Sequence, residues 1–141
     1  MPRQARTRAA DRQQTLAYVR KAEEFVEAAA AELSAGRAIA ATSLAIHAAV
    51  NAADAVTGSR LGKRSAGQDH DEVLRLLAEA GLDGAELSRE LARLLPMKTK
   101  SEYEPDDVPR SAATKAVERA RRCLTIAQRV VGAAGPSKQH E

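Results

Sequence analysis

The chain has 141 residues, enough for one domain with a hydrophobic core. Its net charge of +3 is carried by the first twelve residues, so the remainder is neutral and a strongly basic nucleic-acid-binding body is excluded. A single cysteine, Cys123, excludes an internal disulfide and a cysteine cluster for zinc. Alanine supplies 31 residues and aromatic residues only three, which predicts an all-α protein with closely packed helices.

The first predicted element is a loose basic arm over residues 1–11. A helix over residues 12–34 follows, because apolar side chains recur at helical spacing and Gly36 supplies a stop. A second helix over residues 37–56 carries a polar stripe at spacings of four, four and three: Ser43, His47, Asn51 and Asp54. Apolar residues flank this stripe on both sides. The pattern indicates either a partly buried hydrogen-bonded network or the lining of a cleft.

A glycine-rich junction over residues 57–72 is predicted to interrupt the helices. It combines three glycines with three cations and one histidine: Gly58, Gly62, Gly67, Arg60, Lys63, Arg64 and His70. The order of glycines and cations is a poor match to a phosphate-binding loop. The spacing is one residue short, and Arg64 stands where a magnesium-binding hydroxyl is required.

Arg64 and His70 are separated by five residues and form a candidate catalytic pair. A histidine moves protons near neutral pH, and an arginine stabilises charge that develops on phosphate oxygens. Such a pair cleaves RNA without a metal when both groups meet at one phosphate. The plainer alternative is a solvated loop arginine and a histidine near a helix start.

The second half of the chain predicts three further elements and a tail. A third helix starts near residues 69–71 and ends at Gly81, and a fourth runs from Asp83 to a stop at Pro96. Residues 97–109 predict a polar, acidic loop. A last helix runs from Ser111 to Gly132.

The last helix has a basic face that bears on function. Arg119 and Arg122 lie on it, and they are candidate phosphate contacts together with Arg60 and Lys63 of the junction. In that interpretation the face acts with the basic arm. The alternative is a solvated face, interleaved with acidic side chains. Cys123 falls at the edge of the apolar face and is predicted to be a small buried side chain.

These elements sum to an antiparallel up-down bundle of four to five helices over residues 12–132, with residues 133–141 as a disordered tail. The core is thin on large side chains, so leucine, isoleucine and valine must supply most of the burial. Pairing with a second copy would bury further apolar surface. No membrane segment or signal peptide is predicted, which favours a cytoplasmic protein.

Three pieces of the sequence occur in an order that resembles a known family. They are the alanine-rich helix with its histidine over residues 43–56, the junction 62–70 with the leucine-rich helix that follows, and the segment MKTKSEYEP. In that segment Lys98, Glu102 and Tyr103 form a basic-x-x-x-acidic-Tyr element. This order resembles the HEPN family of small helical bundles, which more often has arginine at the position of Lys98.

The resemblance implies a two-fold homodimer without cofactor or metal. Many family members are metal-independent ribonucleases of toxin–antitoxin or phage-defence systems, often paired with a nucleotidyltransferase-like antitoxin. Their catalytic motif is an arginine followed after four to six residues by a histidine, which Arg64 and His70 match. The polar stripe, with Lys98, Glu102 and Tyr103, would line the cleft that this pair shares.

Two further functions remain open at the level of sequence. Other members of the family lack catalysis and serve as binding modules for a partner protein or a nucleotide-like ligand. A plain helical adaptor without any small-molecule site is the third alternative.

Overall fold

A computed structural model describes residues 6–66, 70–102 and 107–134, without the side chains of Lys100 and Glu102. The described residues form an all-α bundle, as predicted, together with a pair of three-residue strands. The elements are, in chain order, β1 (Thr7–Ala9), α1 (Arg12–Ser34), α2 (Ala38–Leu61), β2 (Lys63–Ser65), α3 (His70–Ala78), α4 (Gly81–Leu94), α5 (Pro96–Glu102) and α6 (Arg110–Ala134).

Helix α1 has the predicted bounds, and its ends have clear physical causes. Asp11 accepts a hydrogen bond from the Gln14 backbone while the Gln14 side chain accepts one from the Asp11 backbone, which forms a capping box. At the other end Gly36 adopts a φ of 81°, a left-handed conformation that glycine adopts without strain.

Helix α2 is the central helix of the bundle, and it is longer than predicted. It packs against both α1 and α6 and buries twelve of its residues. It runs through Gly58, which was expected to break it, and ends at Gly62 with a φ of 69°. Gly58 is needed for contact rather than for a turn, because a Cβ there would lie 2.6 Å from Thr15 Oγ1 of α1. Helix α2 is also long and apolar enough to cross a membrane, but it is mostly buried within the bundle, which makes this weak evidence.

The basic arm differs from the expectation of a loose segment over Thr7–Ala9. These residues pair antiparallel with Lys63–Ser65, so that Thr7 lies opposite Ser65 and Arg8 opposite Arg64. The arm is therefore attached to the junction. From the sequence, the arm had instead been paired with the basic face of the last helix for phosphate contact.

The second half of the chain departs from prediction at its glycines and prolines. Gly81, with a φ of 83°, begins α4, whereas it was predicted to end α3, which ends at Ala78. Pro96 begins the short helix α5 (Pro96–Glu102), so the predicted loop over 97–109 is wrong for residues 97–102. Proline is compatible with the first turn of a helix, where its missing N–H has no partner to lose. Helix α6 continues past Gly132 to Ala134, and the rest of the predicted tail lies outside the described residues.

The core consists of small side chains with a few large aliphatic ones, as predicted. Most alanines of α2 and α6 are buried, which lets these helices approach closely. The largest fully buried apolar side chains are aliphatic: Ile46, Leu77, Leu87, Leu91, Leu94 and Ile126. Helices α3 and α4 therefore supply the leucine part of the core, and α2 supplies its narrow centre.

Cys123 is fully buried in α6, as predicted, and its thiol is expected to be inert. Burial raises the pKa of Cys123 to about 12, and the nearby charge of Glu90 adds to the shift. Because the thiolate is the reactive form, we expect the folded protein not to react with an aromatic disulfide reagent at pH 8. The same protein in denaturant should release one equivalent of chromophore per chain. Rapid labelling without denaturant would contradict this.

Candidate functional site

Most of the predicted polar stripe lies along the contact between α1 and α2, which we call the groove. The rings of Phe25 and His47 lie 5.4 Å apart, and Tyr18 and Asp54 interact electrostatically two turns further along. Both pairs fit one antiparallel register of the two helices. Asn51 lies between them and donates from Nδ2 to the His47 carbonyl oxygen at 2.8 Å. The stripe thus faces α1. The sequence had left open whether these side chains form a buried hydrogen-bonded network or line a cleft.

Arg64 reaches this groove from β2. Its guanidinium carbon lies 5.7 Å from the centroid of the Tyr18 ring, within the range of a cation–π interaction. Its Nη1 donates to the Ser65 carbonyl oxygen at 2.9 Å, which fixes the direction of the side chain. The positive charge also acts on Asp54. Arg64 is therefore held at the end of the groove that lies nearest the junction.

Asp54 is a partly buried carboxyl group whose charge is unfavourable in this position. Burial raises the pKa of Asp54 to about 7, although the charges of Arg64 and Lys21 oppose the shift. Burial also raises the pKa of Tyr18, and Asp54 adds to that effect while Arg64 and Arg8 oppose it. The groove thus contains a carboxyl group that exchanges protons near neutral pH, beside a fixed cation.

His70 lies at the first position of α3 and contacts a second predicted site residue. Its Nε2 is 3.4 Å from Nζ of Lys98 on α5, a hydrogen bond when that ring nitrogen is unprotonated. Helix α5 therefore positions a cation beside the histidine. The structure brings His70 together with Lys98, whereas the described contacts of Arg64 are with Tyr18 and Ser65.

Two of the predicted cleft residues cannot be located by their side chains. Glu102 is the last residue of α5, but its side chain and the whole of Tyr103 lie outside the described part of the chain. The same holds for Gly67 of the junction. Their assignment to the cleft stays a prediction.

Three of the four candidate phosphate contacts have acidic partners within the chain. Arg60 binds Asp83 at 2.8 Å, and Arg119 and Arg122 bind Glu90 at 3.0 Å and 3.2 Å. These ion pairs join α2 to α4 and α4 to α6, so they contribute to packing between helices. Lys63, the fourth candidate, lies on β2 beside Arg64.

Sequence reasoning missed two residues of the groove, Tyr18 and Arg8. Tyr18 had been assigned to the apolar face of α1, and Arg8 to the loose arm. A tyrosine at the edge of an apolar face has its hydroxyl near solvent, which is a weak signal for such a role. Nothing local indicated that Arg8 would lie opposite Arg64, because this contact joins residues far apart in the chain.

A cavity among the described residues lies away from these groups. It has a volume of about 640 Å³ and is lined by the α1–α2 turn and the start of α6, at the opposite end of α2 from Arg64. None of the predicted site residues lines it. Over the described residues no cluster of three or more histidine, cysteine, aspartate or glutamate side chains has metal-binding geometry.

The fold and the groove together define a small helical-bundle protein with a polar site beside its first two helices. The sequence matches the family model described as HEPN domain over residues 15–134. The chain therefore belongs to the HEPN family. No curated protein matches it.

Proposed function

We propose that the protein is a metal-independent RNA endonuclease of a toxin–antitoxin or phage-defence system. The observation that carries this proposal is the contact of 3.4 Å between His70 and Lys98. It joins two parts of the sequence that carry the resemblance to the family, and it pairs a proton-transfer group with a cation. Membership of the HEPN family supports the proposal, because many members are ribonucleases.

The proposed reaction uses the 2′-hydroxyl of the substrate as the nucleophile. His70 accepts the hydroxyl proton as the oxygen attacks phosphorus, and the bond to the 5′-oxygen of the next nucleotide breaks. The leaving oxygen takes up a proton from water and His70 returns its proton to the solvent, so the products are a cyclic phosphate and a 5′-hydroxyl. Lys98 stabilises the negative charge that develops on the phosphate oxygens. No metal is required for any of these steps.

Arg64 enters this mechanism through a second subunit. Its described contacts within its own chain point toward Tyr18 and Ser65. In a two-fold homodimer, Arg64 of one subunit would meet His70 of the other at a shared cleft. We propose that this cytoplasmic dimer is controlled by an antitoxin, of which a nucleotidyltransferase-like protein is the kind expected from the family.

An RNA cleavage assay in excess EDTA tests the proposal. His70→Ala is expected to lower the cleavage rate by about 100-fold or more, because general acid–base catalysis contributes that much. Lys98→Met is expected to lower it as well, whereas Lys98→Arg keeps a cation and should retain most of the activity. His140→Ala is the matched histidine control and should cleave at the wild-type rate.

The same assay separates the proposal from its rivals. Equal cleavage by the wild type and His70→Ala would remove His70 from the mechanism. Activity that disappears in EDTA and returns with a divalent cation would contradict metal-independent cleavage. Absence of cleavage by the wild-type dimer would favour the second function below.

A non-catalytic binding module for a partner protein or a nucleotide-like ligand is the second candidate. It is favoured by the position of Arg64, which is held over Tyr18 beside Asp54. An arginine fixed in a groove between aromatic and acidic side chains is suited to binding without chemistry. Binding of a partner that is lost in Arg64→Gln but kept in His70→Ala would support this function.

A further inference from the structure

The strand pair β1–β2 places arginines directly opposite one another. Arg8 and Arg64 are cross-strand partners, so they lie on the same face of the ribbon with Cβ atoms about 5 Å apart. Arg6 lies two residues before Arg8 in the extended arm, and its carbonyl oxygen accepts from Ala66 N at 2.8 Å. Like charges in this arrangement repel each other, so the ribbon carries an electrostatic cost without an anion.

The arginines of the ribbon differ from several other arginines of the protein, which form ion pairs with carboxylates. Five arginines form ion pairs within 4.0 Å with carboxylates: Arg37, Arg60, Arg119, Arg122 and Arg129. In the part of the chain that the structure describes, no such pair involves Arg6, Arg8 or Arg64. Among the described residues, the ribbon is therefore a local concentration of positive charge without a carboxylate ion pair.

Two described acids, Glu72 and Asp54, interact with the ribbon, but neither forms an ion pair within 4.0 Å with its arginines. Glu72 is only 5% exposed, and its Oε1 accepts from the Arg6 backbone N–H at 3.2 Å. Its carboxylate thus serves to hold the arm rather than to pair with a guanidinium. Asp54 acts on Arg64 from the groove, but its raised pKa of about 7 leaves it partly protonated at neutral pH.

The backbone holds the ribbon in place on the bundle. Ala10 N donates to the Gly62 carbonyl oxygen at 2.9 Å, at the end of the ribbon nearest α1. At the other end the bond from Ala66 and the contact with Glu72 fix Arg6. Because the strands are fixed at both ends, the guanidinium groups project from an ordered frame, and less conformational entropy is lost on binding.

We propose that Arg6, Arg8 and Arg64 form a clamp for adjacent phosphates of a single-stranded RNA. The guanidinium group presents paired N–H donors that match the oxygens of a phosphate, and a row of phosphates removes the repulsion between neighbouring arginines. The choice of RNA rests on the proposed function, and the clamp would hold the strand on the side of the junction that leads to His70. The N-terminal arm is in this view a part of the binding site.

Binding of a labelled 2′-O-methyl RNA 12-mer, measured by fluorescence anisotropy, tests the clamp without cleavage. Arg8→Gln is expected to weaken binding by about 10-fold at low salt, and Arg6→Gln to weaken it less. Each lost contact should also reduce the slope of log affinity against log salt by about 0.7. Arg121→Gln, an exposed arginine on α6, is the matched control and should bind as the wild type does.

The unfolding temperature of Arg8→Gln shows whether weaker binding comes from a lost RNA contact or from loss of folding. Glutamine preserves the backbone pairing and removes one repelling charge, so this temperature should be unchanged or slightly raised. Weaker binding with unchanged stability supports the clamp. Equal binding by Arg8→Gln, Arg121→Gln and the wild type overturns it, and so does a loss of binding that only accompanies unfolding.

The outcome is separable from that of the nuclease proposal. If Arg8→Gln loses binding while the wild type never cleaves unmodified RNA, the clamp stands and catalysis fails. If the wild type and Arg8→Gln cleave and bind equally, catalysis stands and the clamp is overturned.

Discussion

Gly84→Ala is expected to destabilise the protein by about 3 kcal/mol, one of the largest effects of any single methyl group in this fold. Gly84 is buried in α4, where α4 packs on the end of α3. A Cβ there would lie 2.2 Å from the Leu77 carbonyl oxygen and 2.7 Å from the Ala80 Cβ. The first of these atoms belongs to the backbone, so relief requires that the two helices move apart. Urea unfolding at neutral pH measures the effect.

Gly132→Ala is the control for this substitution. Gly132 lies in α6, and apart from its own neighbouring helix backbone no described atom lies within 4 Å of the Cβ that would be added. Alanine there should stabilise the protein by about 0.5 to 1 kcal/mol through helix propensity. Equal effects of the two substitutions would show that close contact between α3 and α4 does not limit stability.

The contact at Gly84 also bears on the candidate site. Helix α3 begins at His70, and its packing on α4 therefore determines where that histidine lies relative to Lys98. Gly84→Ala should thus lower any activity that depends on His70 even in the fraction that remains folded. The sequence had treated the region near this glycine only as a helix boundary.

The helices were predictable where local pattern decides them. Helix α1 follows from the recurrence of apolar residues and from Gly36, both of which are local signals. The end of α2 was predicted too early because Gly58 was taken as a break, and α5 was predicted as loop because its segment is polar and contains prolines. Gly58 lies inside α2, where it packs closely against Thr15, and Pro96 follows the end of α4, as predicted, but also begins α5. The first of these facts depends on tertiary contact, which no local pattern contains.

The candidate site was predictable in its residue types but not in its contacts. His70 and Lys98 were both chosen from the sequence, yet their contact joins α3 to α5, which had been predicted as loop. Arg8 was missed because its position depends on a three-residue strand pairing across more than fifty residues. Short strands of this kind carry too few residues to show a periodic signal.

Asp54 shows the same limit and has an energetic consequence. Its place in a polar stripe was visible in the sequence, but its desolvation results from α1 packing over it. A carboxyl group with a raised pKa makes the folded state less stable once it must ionise. Asparagine would fit at this position without that loss of stability. A residue that lowers stability in this way is typical of a functional site.

Asp54→Asn is therefore expected to stabilise the protein at pH 8 by about 2 to 4 kcal/mol. The group has a pKa of 3.8 in the unfolded chain and about 7 in the folded protein, because burial disfavours its charge. The folded state thus binds the proton more tightly, and the wild type loses stability as pH rises from about 4 to 7. Below pH 4 the carboxyl is protonated in both states, so the two proteins should be nearly equal. Urea unfolding at pH 4, 6 and 8 measures the difference.

Asp83→Asn provides a control of opposite sign. Hydrogen bonding from Arg129 lowers the pKa of Asp83, and Arg60 adds to this effect. Its ionised form is therefore favoured by folding, so the variant should be less stable than the wild type at neutral pH, and the difference should shrink as pH falls. A difference between Asp54→Asn and the wild type that stays constant from pH 4 to 8 would contradict a buried, titrating carboxyl in the groove. If the gain in stability is found and RNA cleavage or partner binding falls in the same variant, the charge of Asp54 is retained for function at the expense of stability.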